Sequence, residues 1–165
     1  ILYLPGTAIG LGLITIVGQC VGAGRLAEAK HYAKTLMGVN YGILAVLSTA
    51  MVVFSGQLVG IYHLSEQASR LSRELITAHS IAMILWPLAF IIPHTLRASL
   101  DVKFTMAVAV FSMWAFRIGF AYLFVNICKL GVMGVWYGMF IDWIFRAFVF
   151  SWRFKGFEKR AVAVK

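Results

Sequence analysis

Acidic side chains are scarce: six Asp and Glu stand against fifteen Lys and Arg in 165 residues, and only 13% of the chain is charged. An ordinary water-soluble domain carries about 25% charged and roughly 45–50% apolar residues. That shortage of charge, beside 61% hydrophobic residues, excludes a soluble globular fold. The +9 balance would suggest nucleic acid on a soluble face. Here the basic residues cluster at the ends of apolar runs, where cytoplasmic loops meet anionic lipid, so membrane lipid is the expected partner and nucleic acid is not. Cysteine is nearly absent. Cys20 and Cys128 lie far apart and outside any CxxC or His-rich cluster, so they read as small apolar core residues rather than a disulfide or metal ligands. His31, His63, His79 and His94 are scattered. With no nucleophile–base pair and no metal constellation, neither an enzyme, a metal site nor a resident cofactor is expected. The chain also lacks an initial Met and a basic n-region. No cleavable signal peptide is predicted, and the apolar opening at Ile1 reads as a piece of a longer chain that starts in or just before a span.

What is present is a series of long uncharged runs. Residues 1–24, 35–65 and 75–96 contain no Asp, Glu, Lys or Arg; residues 104–128 contain only Arg117, and 130–152 only Asp142 and Arg146. A spanning helix needs about 20 mostly apolar residues, and in hydrocarbon the backbone must satisfy its own hydrogen bonds. The strict alternation of a membrane barrel is missing from stretches such as AVLSTAMVVF. The predicted fold is therefore all-α, a polytopic transmembrane bundle with spans near 2–22, 37–61, 75–96, 105–127 and 132–152. The segment RLAEAKHYAK sets Leu26, Ala29 and Ala33 on one face and Lys30 and Lys34 on another, which predicts a short interfacial helix over 25–35. Arg25, Lys30, Lys34, Arg97, Lys103, Arg153, Lys155, Lys159, Arg160 and Lys165 fall in one set of loops, and Arg70, Arg73 and Lys129 in the other. The positive-inside rule then predicts a cytoplasmic C-terminus, with 153–165 as a basic tail and Ile1 on the outer side.

Several features invite a functional reading. Gly6 and Gly10, Gly18 and Gly22, and Gly134 and Gly138 recur four apart, the spacing that lets helix backbones approach closely in a bilayer. A Gly-lined cavity wall is the alternative. GAGRLA at 22–27 fits a dinucleotide-loop pattern in form. It closes a hydrophobic span and no acid follows about 20 residues later, so that reading fails. Pro87 and Pro93 each remove a helical donor within one span and predict a kink. Kinks at membrane depth often border cavities or moving joints, a purely structural bend being the alternative, and Trp86 and His94 flank the two prolines as candidate cavity-lining residues. Arg117, Asp142 and Arg146 fall near the middle of spans, where a charge costs at least ~2.5–3.5 kcal/mol. Asp142 and Arg146 are spaced to pair on one helix face, and Arg117 is placed to join them from the neighbouring helix. The cluster is either an ion or substrate path or a structural ion pair.

LPGTAIGLGLITIVGQCVGAGRLAEAKHYA (residues 4–33), LRASLDVKFTMAVAVFSMWAFRIGFAYLF (96–124) and GVWYGMFIDWIFRAFVFSWRF (134–154) together resemble the multidrug and toxic compound extrusion (MATE) transporters. Pro5, Gly18, Gln19, Gly22 and Gly24 stand in the places of that family's Pro-Gly, Gly-Gln and Gly-Ala-Gly marks. Arg97 and Asp101 match its Leu-Arg-(Gly/Ala)-x-x-Asp stretch, and Asp142, Trp143, Arg146 and Ala147 its last helix. The resemblance implies twelve helices in two lobes, of which this chain is the eighth to twelfth, so an N-terminal lobe of the same protein is an implied partner. It implies secondary active efflux of small cationic or amphipathic drugs by antiport with sodium ions or protons, across a bacterial inner (plasma) membrane. The acid that some sodium-coupled members carry in the helix matching 75–96 has no counterpart here, and Trp86 lies near its place. Asp101 is expected to play a structural role at the cytoplasmic turn, paired with Arg97 or Lys103. Two rivals stay open. A flippase of the same architecture, moving lipid-linked or polysaccharide precursors, should present Arg and Lys to its cavity. A non-transporting scaffold should bury Asp142 against Arg146 and have no cavity beside the kinked span.

Overall fold

The computed structural model describes residues 2–157, and among them every regular element is helical. Helix α1 (Leu4–Gly22) carries Pro5 in its first turn, where a missing N–H leaves no carbonyl unmet. The chain leaves α1 through a Schellman turn. Arg25 N–H donates to the Cys20 carbonyl at 2.8 Å and Gly24 N–H to that of Val21 at 3.0 Å. Gly24 has φ +76°, a left-handed conformation that favours glycine. This is the physical content of the Gly-Ala-Gly at the helix exit.

Helix α2 (Leu26–Val53) is continuous for 28 residues. The segment 25–35, expected as a separate interfacial helix, is therefore the first part of α2. The reason is register: Ala29, Ala33, Asn40 and Leu44 are all buried at steps of four or seven, so the apolar stripe of the amphipathic segment runs unbroken into the span. The expected second span, 37–61, is instead divided. α2 stops at Phe54 (φ −90°, ψ 6°), where the Ser55 hydroxyl donates to the Val52 carbonyl at 2.8 Å, and a short helix α3 (Ser55–Ile61) follows.

The third span is broken. Helix α4 (Glu66–Ala82), capped by the Ser65 side chain, passes into a 3-10 turn (Met83–Leu85), a π turn (Pro87–Ile91) and helix α5 (Ile92–Ala98). The two halves meet at 52°. Pro87 has no N–H to offer the Met83 carbonyl, which accepts from Trp86 N–H instead. The tighter turn satisfies the carbonyl and bends the helix. Helix α6 (Val102–Ser112) continues through π turns at Met113–Phe120 and Leu123–Ile127 as one apolar stretch. Helix α7 (Gly131–Lys155) closes the bundle. Its last turn takes in the start of the expected basic tail; Lys159, Arg160 and Lys165 lie outside the described residues, as does Ile1.

Among the described residues four helices are long and apolar enough to cross a membrane, and the bent pair, taken as one span, makes a fifth. The chain is a polytopic helical bundle. The bent span is central: α1, α2 and α7 all pack on its π turn, and Met83, Trp86, Ile91 and Leu96 join Leu13, Val17 and Phe150 in the core. The stretch Val102–Ile127, by contrast, is only 6% buried over its apolar window, so its surface is turned outward. Cys20 is buried, as expected of a small apolar residue, but Cys128 is exposed at the end of that outward stretch.

The α5–α6 turn repeats the geometry of the α1 exit without a glycine. Asp101 N–H donates to Leu96 and Leu100 N–H to Arg97, both at 3.0 Å, with Leu100 at φ +67° and its side chain exposed. A left-handed non-glycine residue costs roughly 1–2 kcal/mol, part of which glycine returns as lost chain entropy. Leu100→Gly is expected to stabilise the protein by about 0.5–1 kcal/mol, read as a higher unfolding temperature in detergent; an unchanged or lower value would show that this turn carries no strain.

Candidate functional site

The geometry around the bent span begins with two notches in α1. A Cβ at Gly6 would lie 2.7 Å from Trp86 Cη2 and 3.1 Å from Asn40 Nδ2, and one at Gly10 would lie 2.7 Å from His94 Cδ2. Two aromatic residues of the kinked span, Trp86 and His94, thus seat directly on the α1 backbone. Trp86 is buried and stacks on Phe90 with ring centroids 5.3 Å apart. Phe90 meets Trp143 edge-on at 5.8 Å, and Trp143 meets His79 at 5.6 Å. A continuous aromatic seam therefore joins α1 to α7 through the bend. The same small-residue logic joins α7 to the fourth span, where a Cβ on Gly134 or Gly138 would come 3.0 Å from Phe124 Cβ or Ala121 N. Gly18 and Gly22 have the same spacing and meet nothing within 4 Å.

Trp86 and His94, the candidate cavity-lining residues, pack on α1 and do not border the cavity that opens beside the bend. The cavity lies on the other side of the bend, between α2 and α4, with a volume of about 410 Å3. Met83 and Ile84 from the 3-10 turn form one wall, facing Tyr41, Ser48 and Thr49 on α2, with Ser80 beside them. No charged residue lines it. The space lies beside the 52° break of the third span.

Two of the ion pairs among the described residues involve the candidate charges. Asp142 is fully buried and receives Arg146 Nε at 2.8 Å. Arg146 also donates from Nη2 to the Ala109 carbonyl at 3.1 Å and lies 5.8 Å from the Phe90 ring centroid. Arg117 does not join them. It is exposed, because Phe116 occupies the face toward α7, 4.6 Å from Phe145, and the next residue on a helix points elsewhere. The second pair corrects the expectation for Asp101. Its partner is neither Arg97, which is exposed, nor Lys103, but Arg153, which approaches with Nε at 2.7 Å and Nη2 at 3.0 Å. The Arg153 guanidinium lies 4.2 Å from the Phe104 ring centroid. This bidentate, stacked geometry ties the α5–α6 turn to the end of α7.

Some polar groups were missed in the sequence. Asn40 is wholly buried, and neither its Oδ1 nor its Nδ2 has a hydrogen-bond partner. Ser48 Oγ, Ser80 Oγ, His94 Nδ1 and Trp143 Nε1 are likewise inaccessible and unpartnered. The one available signal was Asn40's register on the buried stripe of Ala29 and Ala33. Among the described residues no three His, Cys, Asp or Glu side chains come together as metal ligands.

Comparison with known proteins gives a match to the MatE family model over residues 1–123. Among curated proteins, the chain is 25% identical over 135 residues to the "Probable multidrug resistance protein YoeA" of Bacillus subtilis, covering 82% of this chain and 29% of that one. It is 31% identical over 147 residues to the "Uncharacterized transporter YisQ" of the same organism, covering 87% and 32%. It is 25% identical over 161 residues to the "Probable multidrug resistance protein NorM" of Halalkalibacterium halodurans, covering 96% and 35%. The chain therefore spans about a third of the length of these relatives. No solved structure gives a significant match.

Two outcomes follow from the packing. Overpacking at a helix crossing costs typically 1–3 kcal/mol. Gly138→Ala, whose new methyl meets backbone, is expected to lower the unfolding temperature of the membrane-inserted protein, while Gly18→Ala leaves it unchanged; an equal loss at both would make spacing rather than this packing the cause. Asp142→Asn strands a buried guanidinium and should cost about 3–5 kcal/mol, seen as reduced membrane abundance. Adding Arg146→Met should restore much of that abundance. Normal abundance of the single variant with lost transport would instead put Asp142 in an ion path.

Proposed function

The chain belongs to the MatE family, and from that premise we propose that it forms part of a secondary active multidrug exporter, driving small amphipathic or cationic drugs outward by antiport with sodium ions or protons. The observation that carries the reading is the cavity of about 410 Å3 beside the break in the third span. A transporter needs both a binding space and an element that changes shape around it. The names of two of the relatives, each a probable multidrug resistance protein, support the same reading. The buried Asp142–Arg146 pair fits a scaffold equally well; the cavity is what separates the two. A flippase for anionic cargo would need cationic residues at the cavity, and none lines it.

In this proposal the remaining lobe comes from the rest of a longer polypeptide. Four of the five described acids are held in ion pairs, Asp142 by Arg146, Asp101 by Arg153, Glu28 by Arg25 and Glu74 by Arg70, and the fifth, Glu66, is exposed in the first turn of α4. The acid that exchanges sodium or a proton for drug is therefore assigned to the remaining lobe. Competition between ion and drug for that acid would couple the two fluxes. The bundle would lie in a bacterial inner (plasma) membrane. Arg25, Lys30, Lys34, Arg97, Lys103, Arg153 and Lys155 would face the cytoplasm, and the C-terminus with them.

The test is transport by the longer protein that contains this sequence, reconstituted in liposomes. An imposed sodium or proton gradient is expected to drive ethidium against its own gradient, and dissipating that gradient to stop it. Ethidium flux that ignores both gradients, or none at all from well-folded protein, would overturn the antiport reading.

A further inference from the structure

We propose that the cavity between α2 and the bend of the third span is a binding site for an uncharged, largely apolar molecule carrying one hydrogen-bonding group, a proposal that rests on the efflux reading for treating that molecule as cargo. Its volume of about 410 Å3 lies in the range that holds drug-sized ligands, roughly 300–1,000 Å3. Its walls are hydrocarbon apart from four hydroxyl-bearing residues, Tyr41, Ser48, Thr49 and Ser80. Thr49 is committed, donating to the Ala45 carbonyl at 2.7 Å. Ser48 Oγ and Ser80 Oγ are not: both are inaccessible and without a hydrogen-bond partner, and Ser80 is only 5% exposed. They come from different helices that border the same space, and because neither oxygen is exposed to it, each must turn about χ1 to meet an occupant. In an apolar setting an unmet hydroxyl is costly, so a ligand that offers a carbonyl or hydroxyl between them recovers that cost. A hydrocarbon tail alone does not.

Charge decides the ligand class further. A cation desolvated here would find no carboxylate, because no acid lines the cavity and Asp142 lies elsewhere, under Arg146. An anion would find no Lys or Arg. The site therefore accepts neutral molecules. Its rim is formed by Val53, Ile81 and Ile84, which are among the most exposed side chains of their helices, so entry is from the hydrocarbon side. Because Met83 and Ile84 belong to the 3-10 turn itself, an occupant presses directly on the joint where the third span bends.

The test uses 4-(hydroxymethyl)benzophenone, an uncharged photoreactive probe with one hydroxyl, on the longer protein in lipid nanodiscs, with adducts mapped by mass spectrometry. Adducts are expected within 41–53 and 80–84. Ser48→Ala with Ser80→Ala is expected to lower them about fivefold, roughly the effect of one lost hydrogen bond, while labelling by unsubstituted benzophenone stays the same. Ala45→Trp, which fills the space from the α2 side, should remove both. A trimethylammonium analogue should give no adduct there. Even labelling of these segments and of outward residues such as Phe148 and Trp152, or equal labelling by the cationic analogue, would overturn the site. So would a cavity labelled only by a phospholipid with a diazirine in its acyl chain and not competed by the hydroxylated probe, which would make the occupant bilayer lipid. Ethidium transport measured on the same samples separates the two proposals. Intact transport without these adducts removes this site alone, and adducts without transport remove the efflux reading while leaving the site.

Discussion

The seating of Trp86 and His94 against the bare α1 backbone at Gly6 and Gly10 is the contact around which the rest of the bundle is arranged. In a bilayer, helices gain nothing by hiding apolar surface from water, so close van der Waals contact must hold them together. Two large rings meeting two glycines supply that contact. They also hold the third span on both sides of its break, one ring before Pro87 and one after Pro93. With the span held there, Phe90 is presented to Trp143 and to the Arg146 guanidinium. The deep ion pair on α7 thus packs against the bend, not against lipid.

The charges follow a second constraint. A buried carboxylate or guanidinium persists only when its partner and its remaining donors are met. Asp142 and Arg146 meet this in part, through each other and through the Ala109 carbonyl, while Asp142 Oδ2 is buried without a hydrogen-bond partner. Asp101 and Arg153 meet it at the end of the bundle, in a geometry that depends on the left-handed Leu100 turn to present the carboxylate. Both arginines tie α7 to its neighbours, Arg146 through the Ala109 carbonyl and Arg153 through Asp101. That leaves the cavity beside the bend without charge, and its unmet serine hydroxyls become its main recognition elements. Division of labour between a polar, structural side and a neutral, open side runs through the whole bent span.

The fourth span shows the converse. Its apolar window is almost unburied, and Arg117, Trp114 and Tyr122 point outward from it. Gly18, Gly22 and Gln19 on α1 are also unengaged among the described residues. These are the motif positions most similar to the family pattern, yet only Gly24 among the glycines of that stretch has a local conformational reason.

The sequence by itself determined the class of environment, the number of spans, the place of the break and the pairing of Asp142 with Arg146. Each of these is local. Apolar length is counted along the chain, a proline lacks its donor wherever it sits, and residues four apart on a helix are neighbours in any fold. The same locality misled where continuity mattered: the charges of 25–35 suggested a separate helix, although the apolar register carries straight on into α2. Tertiary structure alone decided which glycine pairs are filled, because three pairs share one spacing and only packing distinguishes them. It alone chose Arg153, 52 positions away, over the nearby Arg97 and Lys103 as the partner of Asp101, and it turned Arg117 away from the ion pair it was expected to join. It also put the cavity on the α2 side of the bend, away from Trp86 and His94. A proline dictates that a helix will turn, but the direction of the turn is set by whichever neighbour offers the closest fit, and here that neighbour is α1.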